Sequence, residues 1–178
     1  MHIHSATPVV AARRPRIVGS LVIASVMMTL VIQGSAHASA ESRRVGRCAA
    51  VSTMLTKASG GLLMPSESDA PFTPFSWTDA ATRRVTIPRL LRLTGHTPDT
   101  SVEVVDLTWF FRNVAQHEPW HDEQQSADVR RFQRLERVLD QQLADVRVYR
   151  IGTIRIDAYI VGRCGRDLAG VSTVLIET

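Results

Sequence analysis

Apolar and small residues recur at helical spacing at Val45, Cys48, Ser52, Leu55 and Ser59, with Val51, Ala58 and Leu62 beside them. This spacing predicts a helix over about 43–59, closed by Gly60-Gly61. Pro65 and Pro71 then bracket Ser66-Glu67-Ser68-Asp69-Ala70 and forbid a helix across the gap. The stretch reads as a constrained acidic loop, pinned by Leu62, Leu63 and Phe72 on its two sides. Phe72 to Trp77 is aromatic and strand-like, and Arg83-Arg84 opens a polar connection. Pro88 to Leu93, with proline near its start and Gly95 beyond its end, predicts a short helix.

Val102 to Val105 reads as a strand, and Asp106 as the N-cap of a helix over Leu107 to Ala115. The longest expected helix runs from about Ser126 to Ala144, burying Val129, Phe132, Leu135, Leu139 and Leu143. Beyond Asp145 the period becomes two. Val146 to Ile151 and Ile154 to Val161 flank a turn at Gly152-Thr153, with Ile154, Ile156, Ala158 and Ile160 on one face. Gly170 leads into a last strand, Val171 to Ile176. Helices interspersed with antiparallel strands predict an α+β fold with helices packed on a sheet.

The first forty residues follow another pattern. Arg13, Arg14 and Arg16 precede an apolar run from Ile17 to Ile32, and both Ala36-His37-Ala38 and Ala38-Ser39-Ala40 fit a cleavage signal. Residues 1–40 therefore read as a secretory signal peptide cleaved near 38–40, and 41–178 as a single domain. The expected location is periplasmic or secreted. An uncleaved signal anchor, which would hold the chain on a membrane, is the alternative, although the run is short for a span. The residues after Arg13-Arg14 fit a twin-arginine signal poorly.

Removing the leader changes the charge picture. The chain has 21 basic and 17 acidic residues, and the leader holds three of the former and none of the latter. The remainder is 18 against 17, or +1, so the high isoelectric point says little about nucleic acid. Cys48 and Cys164 both fall in the mature part. In an exported chain this even count permits a disulfide from the first helix to the end of a late strand; two buried free thiols are the alternative.

Candidate chemistry is sparse. Read locally, the loop at 65–71 is either a solvated connection or a mount holding Glu67 and Asp69 toward something positive, such as a metal ion or an arginine. Arg130, Arg131, Arg134 and Arg137 share one helix with Asp128, Glu136 and Asp140, which reads as a solvated face rather than a nucleic-acid surface. His117, His121, Asp122 and Glu123 have metal-ligand chemistry, but Pro119 disrupts the helical register between the histidines. Ser172 and Thr173 lie in a strand without a nearby histidine, and no G-x-S-x-G occurs. Trp109, Phe110, Phe111 and Trp120 read as core and loop anchors rather than interface residues, and Trp77 likewise reads as packing, although it lies close to the acidic loop in sequence.

Several landmarks, in order, resemble the nuclease A inhibitor family, the NuiA-like proteins. They are Ala58-Ser59 before Gly61-Leu62-Leu63; Ser66-Glu67-Ser68 with Pro71-Phe72; Phe75-Ser76-Trp77; Thr94-Gly95-His96; Val104-Val105-Asp106 with Phe110-Phe111; Trp120 with Asp122-Glu123; Phe132-Gln133; Val148-Tyr149-Arg150-Ile151-Gly152; Asp157-Ala158-Tyr159 with Gly162; and Leu168 to Thr173 through Glu177-Thr178. The likeness covers about Ala49 to Thr178. It implies a three-layer α/β/α sandwich with a largely antiparallel sheet, no catalytic residues and no cofactor or metal of its own. It implies a partner, a sugar-non-specific ββα-metal nuclease bound one to one and blocked, with no direct contact to nucleic acid. The groups implied at the contact are Glu67 and Thr178, the latter through its hydroxyl and α-carboxylate. Ser66, Ser68, Asp69, Glu177 and Trp77 are expected around them. The alternative is the same fold reused as an envelope adaptor for another partner. The near-neutral charge departs from what a mimic of a phosphate backbone leads one to expect, so any steering must come from local acids.

Overall fold

Adjacent residues on the late strands go to opposite sides of one sheet, and this alternation organises the molecule. The coordinates, a computed structural model, describe residues 46–78 and 85–178. The expected leader over 1–40, the start of the first helix at 43–45 and the Arg83-Arg84 connection lie outside the described residues. All described residues belong to one unit, Ser42–Thr178.

Helix α1 is described over 46–59. Two short strands follow, β1 (Leu63–Met64) and β2 (Ala70–Pro71), then β3 (Thr73–Trp77). The remaining elements are α2 (Ile87–Thr94), β4 (Val102–Val105), α3 (Leu107–Phe111), α4 (Glu123–Gln142), β5 (Ala144–Ile151), β6 (Arg155–Cys164) and β7 (Asp167–Ile176). β1 and β2 form a two-stranded ribbon, and the other five strands form a sheet in the order β3-β7-β6-β5-β4. Every neighbouring pair is antiparallel, as the α+β reading requires.

On β5, β6 and β7, Val148, Ile160 and Ala169 join one core cluster, and their neighbours Tyr149, Val161 and Leu168 join another. The first cluster takes Val51 and Leu55 of α1, Phe110 and Phe111 of α3, and Phe132, Leu135 and Leu139 of α4. The second takes Leu90 and Leu91 of α2. Alternate residues of the same strands thus feed two separate clusters, each packed by different helices. Cys48 and Cys164 form a disulfide with Cα atoms 5.7 Å apart, joining α1 to the end of β6.

Several expectations are corrected. The longest helix begins at Glu123 rather than Ser126, because Asp122 and Gln125 form a capping box. The Gln125 N–H donates to Asp122 Oδ1 (2.7 Å), and the Asp122 N–H donates to Gln125 Oε1 (2.9 Å). The helix ends at Gln142; Leu143 is already extended, and Asp145 has a positive φ of 54°. Helix α3 stops at Phe111, short of Ala115, and the chain continues in turns whose Val114 and Ala115 N–H groups both donate to the Phe111 carbonyl. Asp106 is its N-cap, but its side chain makes no capping bond; its carboxylate lies 3.6 Å from Arg147.

Ile154 does not share the buried face of Ile156, Ala158 and Ile160. It belongs to the turn after Gly152 (φ 106°) and is 64% exposed. Gly170 is inside β7, not a lead-in to it. A Cβ there would lie 1.8 Å from the Ile160 carbonyl oxygen and 3.1 Å from the Phe75 ring. The glycine marks a close approach within the sheet rather than a break.

Candidate functional site

Loop 65–69 joins β1 to β2 beside the C-terminal end of β7, and its hydrogen bonds explain its shape. The Ser66 hydroxyl donates to the Ser68 carbonyl (2.7 Å) and accepts from the Ser68 N–H (3.3 Å). The Ser66 N–H donates to Asp69 Oδ1 (3.3 Å). A short polar side chain closing on its own backbone fixes such a turn without a core of its own.

The same loop is tied to β7. The Glu67 N–H donates to the Ile176 carbonyl (3.4 Å), and the Ile176 N–H donates to Ser66 Oγ (3.3 Å). Further back along the strand, Thr173 Oγ1 donates to the Ala70 carbonyl (3.2 Å). These contacts extend the sheet's pairing into the loop. They bring Thr178 to Glu67 across 111 positions of sequence, and the Thr178 hydroxyl donates to Glu67 Oε1. Both residues are exposed. The hydroxyl takes up one oxygen of an exposed carboxylate, and an ionised carboxylate has further acceptor capacity beyond one such bond.

Glu177 is anchored twice. Its N–H donates to the Ile154 carbonyl (2.9 Å). Its carboxylate accepts from Arg150 Nη2 at 2.6 Å, and Arg150 Nη1 donates to Glu103 at 2.7 Å. The Arg150 guanidinium also lies 5.6 Å from the Trp109 ring centroid, and Arg112 lies 3.6 Å from the same centroid. A groove of ≈ 440 Å³ opens here, bounded by Pro65, Trp109, Arg112, Arg150 and Glu177 among others.

Of the residues expected at the contact, Ser66, Glu67, Ser68, Asp69, Glu177 and Thr178 are brought together. Trp77 is not. It pairs with Leu168 at the start of β7 and packs on Phe75 with ring centroids 4.3 Å apart. Eight steps of strand lead from Leu168 to Ile176, about 27 Å at the usual rise. Proximity in sequence to the acidic loop misleads because β3 runs away from it. Among the anchors, Phe110 and Phe111 are buried as expected, whereas Trp109 is 40% and Trp120 75% exposed.

Arg150 and Glu103 were not among the candidates read from sequence. The signal was present: one arginine interrupts the apolar run Val148-Tyr149-Arg150-Ile151 on a strand buried on both faces, and such a charge needs partners. His117 and His121 stack edge to face at 5.6 Å. Among the described residues no group of three or more His, Cys, Asp or Glu side chains is arranged to hold a metal ion.

No curated protein matches the chain at a significant level. A family model does match, described as nuclease A inhibitor-like protein, and it covers residues 49–178. That span holds all of the sheet, helices α2 to α4 and the whole Glu67–Thr178 tip, and on this match the chain belongs to the nuclease A inhibitor-like family.

Proposed function

We propose that the protein is an exported inhibitor which occludes, one to one, the active site of a metal-dependent, sugar-non-specific DNA/RNA nuclease. The observation that carries this reading is the Glu67–Thr178 pair, two exposed oxygen-bearing groups fixed side by side at one end of the sheet. A nuclease of this kind holds a hard divalent cation with exchangeable waters, and oxygen ligands suit it. Glu67 and Thr178 can take the place of such a water or hydrogen-bond to one that remains, while Asp69 contributes negative charge nearby. Because the loop is already closed on itself and on β7, little ordering cost accompanies binding. The protein acts as a plug and performs no chemistry.

The wider fold fits the same reading. Helices α1, α3 and α4 pack on one face and α2 on the other, which supports a three-layer α/β/α sandwich. The basic, apolar pattern of residues 1–40 and the Cys48–Cys164 bridge support export to an oxidising compartment.

The test titrates the purified protein into several ββα-metal nucleases and follows DNA cleavage. Loss of cleavage reaching completion near equimolar inhibitor is expected. Full cleavage in moderate excess, across the set, would falsify the inhibitor reading. Glu67→Ala and removal of Thr178 should each weaken inhibition; if both leave it intact, the contact lies elsewhere on the surface. An envelope adaptor would instead leave every nuclease active.

A further inference from the structure

We propose that Arg150 is the positioning residue of the inhibitory tip and that Glu177 serves Arg150 rather than the partner. This rests on the reading of Glu67 and Thr178 as the contact. On the sheet, Arg150 pairs with Glu103 of β4 on one side and with Ala158 of β6 on the other, and Ala158 pairs with Thr173 of β7. The alanine leaves room for a long side chain to cross β6. The guanidinium uses that room to reach Glu177, just past the end of β7, at 2.6 Å while keeping Glu103 at 2.7 Å.

The arginine side chain is only 10% exposed, whereas Glu103 and Glu177 are 56% and 51% exposed. A cation buried this far is stable only with its counter-charges in place. Among the described residues its Nε is buried without a hydrogen-bond partner, and Glu103 and Glu177 are the groups that fix the guanidinium's orientation through hydrogen bonds. Glu177 is thereby held through its side chain by Arg150 and through its N–H by Ile154. The next residue is Thr178, whose hydroxyl engages Glu67. Polar contacts, joined by the Glu177–Thr178 peptide bond, thus lead from edge strand β4 through Arg150 to the acidic loop. A carboxylate already committed to a buried arginine has little to offer a partner's cation, which leaves Glu67, Thr178 and Asp69 as the outward-facing set.

The test compares Arg150→Met, Arg150→Lys, Glu177→Ala and the Arg150→Met/Glu177→Ala double variant in the full chain. Amide hydrogen exchange is measured without any partner, and dissociation from an inhibited nuclease is measured alongside. Arg150→Met and Glu177→Ala should each speed exchange at the Glu67, Ile176 and Glu177 amides by about tenfold, with Val148 and Ile160 unchanged. Each should speed dissociation by a similar factor, the double variant should be no worse than either, and Arg150→Lys should recover part of the loss. Unchanged exchange at the tip, or a uniform rise across the sheet, overturns the proposal. So does an additive double variant, which would make Glu177 an independent contact. If Arg150→Met does not fold, Arg150→Lys and the half-exposed Glu177→Ala decide the question. If the unaltered protein inhibits no nuclease, the functional reading falls, while the exchange data still confirm or overturn the positioning role.

Discussion

The two ends of β7 are built by different physics. At its start, Leu168 is fully buried beside Trp77, and Phe75, Trp77 and Tyr159 stack with centroids between 4.3 and 6.3 Å apart. At its finish, Ile176 leads to Glu177 and Thr178, which are exposed and held by hydrogen bonds and an ion pair. Apolar packing is non-directional and supplies stability in proportion to area. A polar network supplies little net stability but orients particular atoms. One strand thus has an end that holds the fold and an end that presents a surface.

The sharpest way to break this contrast is through the disulfide, which joins β6 next to the start of β7 through the Cys164–Asp167 pair. Replacing both cysteines by serine should cost about 4–5 kcal/mol of stability in the chain-entropy account. Denaturant unfolding, with and without reductant, reads this directly. Inhibition by the molecules that remain folded should be unchanged. A second variant at the same end, Leu168→Ala, should cost about 3 kcal/mol in the same unfolding measurement, again with unaltered inhibition per folded molecule. Weakened inhibition in either variant would show that the two ends are coupled.

At the other end the pattern should invert. Glu67→Ala should shift stability by less than about 0.5 kcal/mol, as exposed substitutions do, yet weaken inhibition by about 2 kcal/mol, roughly thirtyfold. Thermal unfolding and inhibition titration on one sample distinguish the two effects. The smallest expected effect belongs to neither end and serves as a control. Burial pushes the Glu136 carboxyl above its usual range, with the nearby Asp140 adding to this and Thr108 and Arg137 opposing it. The folded state therefore binds this proton more tightly than the unfolded chain does, and Glu136 contributes less stability as pH rises through and above the ordinary carboxylate range. Glu136→Gln should flatten that part of the stability profile and stabilise at neutral pH by less than about 0.5 kcal/mol, without touching inhibition.

Most of the element order was legible in the sequence because periodicity reports which face is buried. The helix at Pro88 to Leu93, the strand at Val102 to Val105 and the late hairpin appear where the pattern puts them. The misreadings arise where tertiary contacts decide. Gly170 looks like a break until the Ile160 carbonyl is seen against it, and Ile154 looks buried until the turn after Gly152 is seen to delay the start of β6 to Arg155. At the site, family likeness named Glu67 and Thr178, and the hydrogen bonds of Ser66 supply the local reason for the loop's shape. Trp77 packs as its residue type suggests but stands away from the contact, because sequence neighbours part company once β3 turns away. Arg150 went unnoticed because its importance lies in three strands lying side by side, an arrangement no local window contains.

The bond from Ile176 to Ser66 spans 110 positions, and that from Thr178 to Glu67 spans 111. Contacts so distant in sequence carry a loop-closure cost that a short segment of the chain cannot meet by itself. The acidic loop therefore remains an unfinished half until β7 docks between β3 and β6. A peptide copied from residues 61–72 alone lacks the half that orients Glu67. The orientation of Glu67 is thus a property of the completed fold, since it depends on a strand more than a hundred positions away.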